Sequence, residues 1–149
     1  MSRGDNRPAP MALAIMICDT TIRDGETGKI SVINSFNNIG SSVFPCVHPT
    51  LTVFLSLTDV IGEVTLRVDL LRIDDEGADD QTIFSTGDLP LQGEDPRLVY
   101  EIPIRLNGAS FSQPGEYRFH LYANEEYVIG RRFFVTATAE GKPGDEPQM

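Results

Sequence analysis

Apolar residues recur at every second position through most of this chain. In LTVFLSL, Leu51, Val53, Leu55 and Leu57 share one face. In VTLRVDLLRI, Val64, Leu66, Val68 and Leu70 share a face, while Thr65, Arg67 and Asp69 point the other way. LVYEIPIRL sets Leu98, Tyr100, Ile102, Ile104 and Leu106 against Val99, Glu101, Pro103 and Arg105. YRFHLYA sets Tyr117, Phe119, Leu121 and Ala123 against Arg118, His120 and Tyr122. A period of two belongs to strands that bury one face and wet the other, as antiparallel sheets do. No long window carries a helical stripe.

Three further segments read as strands with less regular patterns. MALAIMIC, Met11 to Cys18, is apolar enough to be covered on both faces or to lie at a sheet edge. KISVINSFNNI predicts a single strand, with Ile30, Val32 and Phe36 on one parity and Ile33 and Ile39 on the other. In YVIGRRFFVTA the parity is broken across Gly130, which predicts a bulge there. Turn residues separate the runs at RDGETGK, GSSVFPCVHP, DVIG, DDEGADD, PLQGEDPR and SQPGE, and ANEE turns a hairpin at Asn124 and Glu125. Seven long strands plus a short one around TIFSTG predict an all-β chain, a two-layer antiparallel β-sandwich of seven to eight strands. A closed barrel is the runner-up. Pro103 cannot donate to a ladder, so its strand belongs at an edge or points that position outward.

The ends differ from this core. MSRGDNRPAP, residues 1–10, and the last residues, 139–149, are polar and rich in proline and glycine. They read as a flexible arm and a disordered tail around a sandwich domain spanning 11–138.

The order LVYEIPIRL, loop, PGEYRFHLYANEEYVIGRRFFV resembles the closing part of an immunoglobulin-like or fibronectin-like domain. Tyr117 follows a Pro-Gly turn, where a tyrosine corner places its hydroxyl on nearby backbone. The chain has no Trp, so the resemblance is to the architecture alone. CDTTIRDGETGKISVINSFNNI, FPCVHPTLTVFLSLT and PGEYRFHLYANEEYVIGRRFFV together resemble a bacterial family of small proteins without assigned function, over about residues 12–137. That resemblance implies no active site.

Charge narrows the partners. The 149 residues hold 22 acids and 12 basic residues, a net charge of -10. Nucleic acid and anionic lipid are repelled at long range. Two cysteines, Cys18 and Cys46, make no disulfide framework, and free thiols point to the cytoplasm. MALAIMIC is shorter than the roughly 20 residues of a membrane span, and no small-residue cleavage site follows it.

Candidate chemistry is sparse. FPCVHP places Cys46 two residues before His48, a spacing open to a metal ligand pair or a nucleophile and base. A zinc site needs more ligands, and only Cys18, His120, Asp19 and Asp59 are on hand to supply them. The favoured reading is a loop crossing between two strands, anchored by Phe44 and Val47 and stiffened by Pro45 and Pro49.

Residues 59–97 contain eleven acids and three arginines, net -8. Asp74, Asp75, Glu76, Asp79 and Asp80 are densest, and Asp24, Glu26 and Asp88 are candidates to join them around a cation. The favoured reading there is a solvated hairpin. RGD at Arg3 to Asp5 is a short match expected by chance. RDGETGKIS lacks the spacing and the following helix of a phosphate-binding loop. Asn34, Asn37 and Asn38, with Ser31 and Ser35, offer a polar strand surface. Arg105, Arg118, His120 and Tyr122 form one mildly basic, aromatic face if their strands are neighbours, suited to a carboxylate-bearing partner or a sister subunit.

No residue is assigned a catalytic, cofactor-binding or metal-ligating role, and no cofactor is implied. The expected function is a non-catalytic protein-interaction or structural module with a protein partner or self-association. The alternative is a cation- or small-ligand-binding sandwich using its acidic loops.

Overall fold

The computed structural model describes residues 8–74 and 79–139, which are built from strands and turns without a helix. Ten strands follow one another: β1 (Met11–Arg23), β2 (Ile30–Ser35), β3 (Asn38–Ser41), β4 (Cys46–Thr58), β5 (Gly62–Arg72), β6 (Gln81–Ser85), β7 (Leu89–Gly93), β8 (Tyr100–Phe111), β9 (Gly115–Ala123) and β10 (Glu126–Ala137). They form a four-stranded sheet of order β2-β1-β4-β8 and a six-stranded sheet of order β3-β10-β9-β5-β6, in which β7 also pairs with β5. The chain is all-β, with two open sheets consistent with a sandwich rather than a closed barrel. Residues 1–7 and 140–149, which make up most of the expected arm and tail, lie outside the described residues.

The period-two pattern is what builds the core. Leu51, Val53, Leu55 and Leu57 of β4 meet Ile15 and Ile17 of β1 in one layer. Val64, Leu66, Val68 and Leu70 of β5, with Tyr117, Phe119 and Leu121 of β9 and Phe133 and Val135 of β10, supply the other. Phe111 of β8 ties the two together, with its ring edge-on to Tyr117 at 5.0 Å and to Phe133 at 5.9 Å. Each such fully buried side chain contributes about 1.5–3 kcal/mol of transfer free energy. The Tyr117 hydroxyl is not stranded in this layer, because it donates to the Gln113 carbonyl at 2.6 Å.

Where the structure departs from the expected strands, backbone geometry gives the reason. KISVINSFNNI is two strands, not one. Asn34 has a positive φ of 57°, and the chain then changes sheet. Phe36 N–H donates to Ile17 of β1, whereas the carbonyl of the next residue, Asn37, accepts from Phe134 of β10. β3 then runs parallel to β10. In PLQGEDPR, expected as a turn, Leu89–Gly93 is strand β7, and the turn proper falls later. The bulge expected at Gly130 lies instead between Tyr127 and Ile129, and Gly130 pairs regularly with His120. Leu98 precedes β8 and is exposed. Pro103 does lie on an edge strand, since β8 pairs only with β4 in the sheet order.

β4 and β8 keep one register from Cys46↔Phe111 to Leu57↔Tyr100, yet the side facing the core changes along them. Leu51 and Leu106 face inward at one level, and Cys46 and Phe111 five residues further on. An odd step reverses the pleat, so the strands must turn over between these levels. Gly108, with φ 71°, sits at that point opposite Pro49, and glycine adopts such a conformation without steric cost.

Candidate functional site

The outer face of the six-stranded sheet carries the richest group of side chains. Because Tyr117, Phe119, Leu121 and Ala123 of β9 point inward, Arg118, His120 and Tyr122 point out. The hairpin at Asn124 and Glu125 has φ of 51° and 71°, the two positive values of a tight two-residue turn matched to strand twist. Asn124 also ties the hairpin to β5: its N–H donates to the Thr65 carbonyl at 2.8 Å, and its Oδ1 accepts from Thr65 N–H at 3.0 Å. Tyr122 therefore faces Tyr127 across the hairpin and Arg67 on the other side.

These residues touch. The Arg67 guanidinium lies 4.3 Å from the Tyr122 ring centre. His120 stands edge-on to Tyr127 at 5.1 Å, and the tyrosines are 6.0 Å apart. Gly130 makes room for this packing, because a Cβ there would come 2.6 Å from the Tyr127 hydroxyl and 3.0 Å from the His120 ring. Arg67 also donates to Asp69 at 3.1 Å and to Glu125 at 3.1 Å. Arg118 donates to Glu116 at 2.7 Å. Burial, then the nearby Arg118 charge, push the His120 imidazole below its ordinary pKa, against the opposing pull of Asp80 and Asp69.

Of the four residues expected to share a basic aromatic face, Arg118, His120 and Tyr122 do so. Arg105 does not: it lies on β8 in the other sheet, where it donates to the Thr20 hydroxyl at 3.1 Å. The neighbours of β9 are β5 and β10 instead. Tyr127 was legible as the partner of Tyr122, because a two-residue turn at Asn124 and Glu125 sets them opposite. The expected basic character is largely cancelled by Asp69, Glu116 and Glu125.

Cys46 and His48 are not on a crossing loop. Both belong to β4, past the Pro49–Gly108 turnover, so they share the face that turns toward the core. Cys46 is buried against the core. His48 Nε2 lies 3.6 Å from Asp19 Oδ1, and its ring packs 5.3 Å from Phe36. Cys18 is paired with Thr52, six residues along β4 from Cys46, which is about 20 Å of strand. Both cysteines are free, and burial followed by the Asp19 charge raises the Cys18 thiol. His120 is on the opposite sheet and Asp59 beyond the other end of β4. Among the described residues no three His, Cys, Asp or Glu side chains gather as a metal-binding group.

The acidic and polar candidates are similarly dispersed. Asp24 Oδ1 accepts from Glu26 N–H at 2.7 Å and Thr27 N–H at 3.1 Å, so it organises its own turn. Those bonds hold its carboxyl below the usual range. Asp80 accepts from the Asp74 amide at 3.1 Å, while Asp75 and Glu76, like Arg3 to Asp5, lie outside the described residues. The three asparagines serve different junctions. Asn34 donates to Asp19 at 3.1 Å, Asn37 accepts from Arg131 at 2.6 Å, and Asn38 donates to Thr136 at 3.2 Å. No helix among the described residues is long and apolar enough to cross a membrane.

Among solved structures, the chain is similar to the Pseudomonas fluorescens alkylpurine DNA glycosylase AlkC bound to DNA containing an abasic site analog, at 12% identity and a TM-score of 0.46. The match covers 68% of this chain and 28% of that one, and a likeness of this size says nothing about function. No curated protein matches the chain. The family of unknown function DUF6941 matches residues 13–136, from within β1 to the end of β10, and this chain belongs to that family.

Proposed function

We propose that this protein is a non-catalytic interaction module that docks a protein partner on the outer face of its six-stranded sheet. One observation carries this reading: Tyr127, Tyr122 and Arg67 form a continuous row on that face, with Tyr127 56% exposed. Tyrosine and arginine dominate the energetics of protein interfaces, and rings already packed together lose little freedom on binding. The face is favoured over the β8 and β7 edges as the contact surface. Pro103 on β8 and Pro90 on β7 both lie where an added strand would seek a donor. The free cysteines and the net charge of -10 accord with a cytoplasmic protein that avoids nucleic acid. Tyr117 bonded to Gln113 supports an immunoglobulin-like reading of the sandwich. The alternative of a cation held by acidic loops centres on residues 74–80, four of which fall outside the described residues, with Asp24, Glu26 and Asp88 as candidates to join them.

A photo-crosslinking residue at position 127, compared with one at exposed Val47 on the other sheet, tests the reading in the native host. A protein trapped at 127 and not at 47 is expected, once purified, to bind about tenfold or more weakly to Tyr122→Ala. Equal trapping at both positions, or unchanged affinity for the variant, would remove the face from consideration.

A further inference from the structure

On the same outer face, two arginines stand directly opposite one another: Arg118 of β9 pairs with Arg132 of β10. Residues in such a pair put their side chains on one side of the sheet a few ångströms apart, and like charges there destabilise the sheet. Both point outward, since Tyr117, Phe119, Phe133 and Val135 beside them are buried. Arg118 is compensated by Glu116. Arg132 is not: among the described residues no carboxylate comes within ion-pair distance of it. Its guanidinium instead rests 5.9 Å from the centre of the Phe134 ring, which is 44% exposed.

Residues 98–139 hold four acids and four arginines, net zero, whereas residues 59–97 carry net -8. Arg105 and Arg131, which also lack a carboxylate among the described residues, spend their guanidinium donors on Thr20 and on Ile15 and Asn37 instead.

We infer that Arg132 and Arg118 form a receptor for a single carboxylate side chain of the partner protein, with Phe134 seating an apolar neighbour of that residue. This deepens, and rests on, the docking face proposed above. A guanidinium presents its donors in a planar fork that fits a carboxylate, and Arg132, unlike the Glu116-bound Arg118 beside it, has no carboxylate among the described residues on that fork. A singly charged group is favoured over a phosphate or a polyanion, because the net charge of the whole chain repels the more highly charged ligand more strongly.

The probe is an acetylated, amidated tripeptide of one glutamate between two leucines, titrated into the full chain while the arginine Nε–Hε resonances are followed by NMR. Saturable shifts of Arg132 and Arg118 are expected. They should weaken about tenfold or more with the glutamine analogue of the peptide, and disappear in Arg132→Gln, whose amide spectrum reports that the fold is intact. Equal shifts with inorganic phosphate, equal shifts with the glutamine peptide, or no movement at Arg132 would each overturn the inference. A partner crosslinked at position 127 that binds Arg132→Gln as tightly as wild type would keep the docking face and discard the carboxylate receptor.

Discussion

The Arg131 guanidinium of β10 donates to the Ile15 carbonyl of β1 at 3.0 Å, bridging the two sheets at the point where neither is covered by its next strand. β2 pairs with β1 only from Cys18 onward, and β3 pairs with β10 only from Phe134 onward. Arg131 also donates to Asn37 at 2.6 Å, in the segment that crosses from β2 to β3. One side chain thus closes the seam and satisfies an edge carbonyl that otherwise invites another strand. Arg131→Ala is expected to cost about 1–3 kcal/mol in urea unfolding, from the lost charge-assisted bonds. Light scattering should also show concentration-dependent association of the variant. A stability within error of wild type would mean that the bridge adds nothing.

Tyr117→Phe isolates the corner hydroxyl from the ring. The ring contacts with Phe111 and Phe133 are retained, and only the bond to the Gln113 carbonyl is removed. A loss of about 0.5–1.5 kcal/mol is expected from chemical denaturation, with an unchanged denaturant slope. Tyr117→Ala should cost far more, about 3–5 kcal/mol, because it opens a cavity beside the Phe111 and Phe133 rings.

Two glycines should respond differently to the same change. At Gly93 a Cβ would fall on the Val60 backbone carbonyl, which the tight turn beginning at Asp59, φ 60°, holds in place. Gly93→Ala is expected to destabilise by about 1–3 kcal/mol, as overpacking against backbone does. At Gly130 the first obstacle is the end of the Tyr127 side chain, which can swing away. Gly130→Ala should therefore change thermal stability little while moving the Tyr127 ring signals in an NMR spectrum. If the two variants melt alike, this distinction between backbone and side-chain neighbours is wrong.

His120 makes stability depend on mild acid. Its folded pKa is depressed, so the unfolded chain binds the proton more readily. Its contribution is complete above the unfolded value of about 6.5 and is lost as pH falls through the lower folded value. Arg118 opposes the charged form there, while Asp69 and Asp80 favour it. Unfolding free energy measured from neutral pH downward should decline less in His120→Gln than in wild type within that window. Parallel curves for the two proteins would rule out the imidazole as the source.

The strand segments were readable because burial in a sheet alternates with the pleat, so Leu51 to Leu57, Val64 to Leu70 and Tyr117 to Ala123 announce their inward faces in the chain itself. The hairpin at Asn124 and Glu125, the edge position of Pro103 and the corner role of Tyr117 follow equally from local chemistry. Other features depend on which strands become neighbours, and alternation within one strand carries no information about the next. Arg105 and Arg118 share a pattern but fall in different sheets. The split at Asn34, the shift of the bulge from Gly130 and the turnover at Gly108 arise from backbone conformations that a polar or apolar letter does not encode. Cys46 and His48 show the same division: the sequence by itself set them two apart, and the tertiary structure buried one against the core and placed the other beside Asp19. The opposition of Arg118 and Arg132 was likewise decided by register, because only pairing across strands determines which charges must share a place.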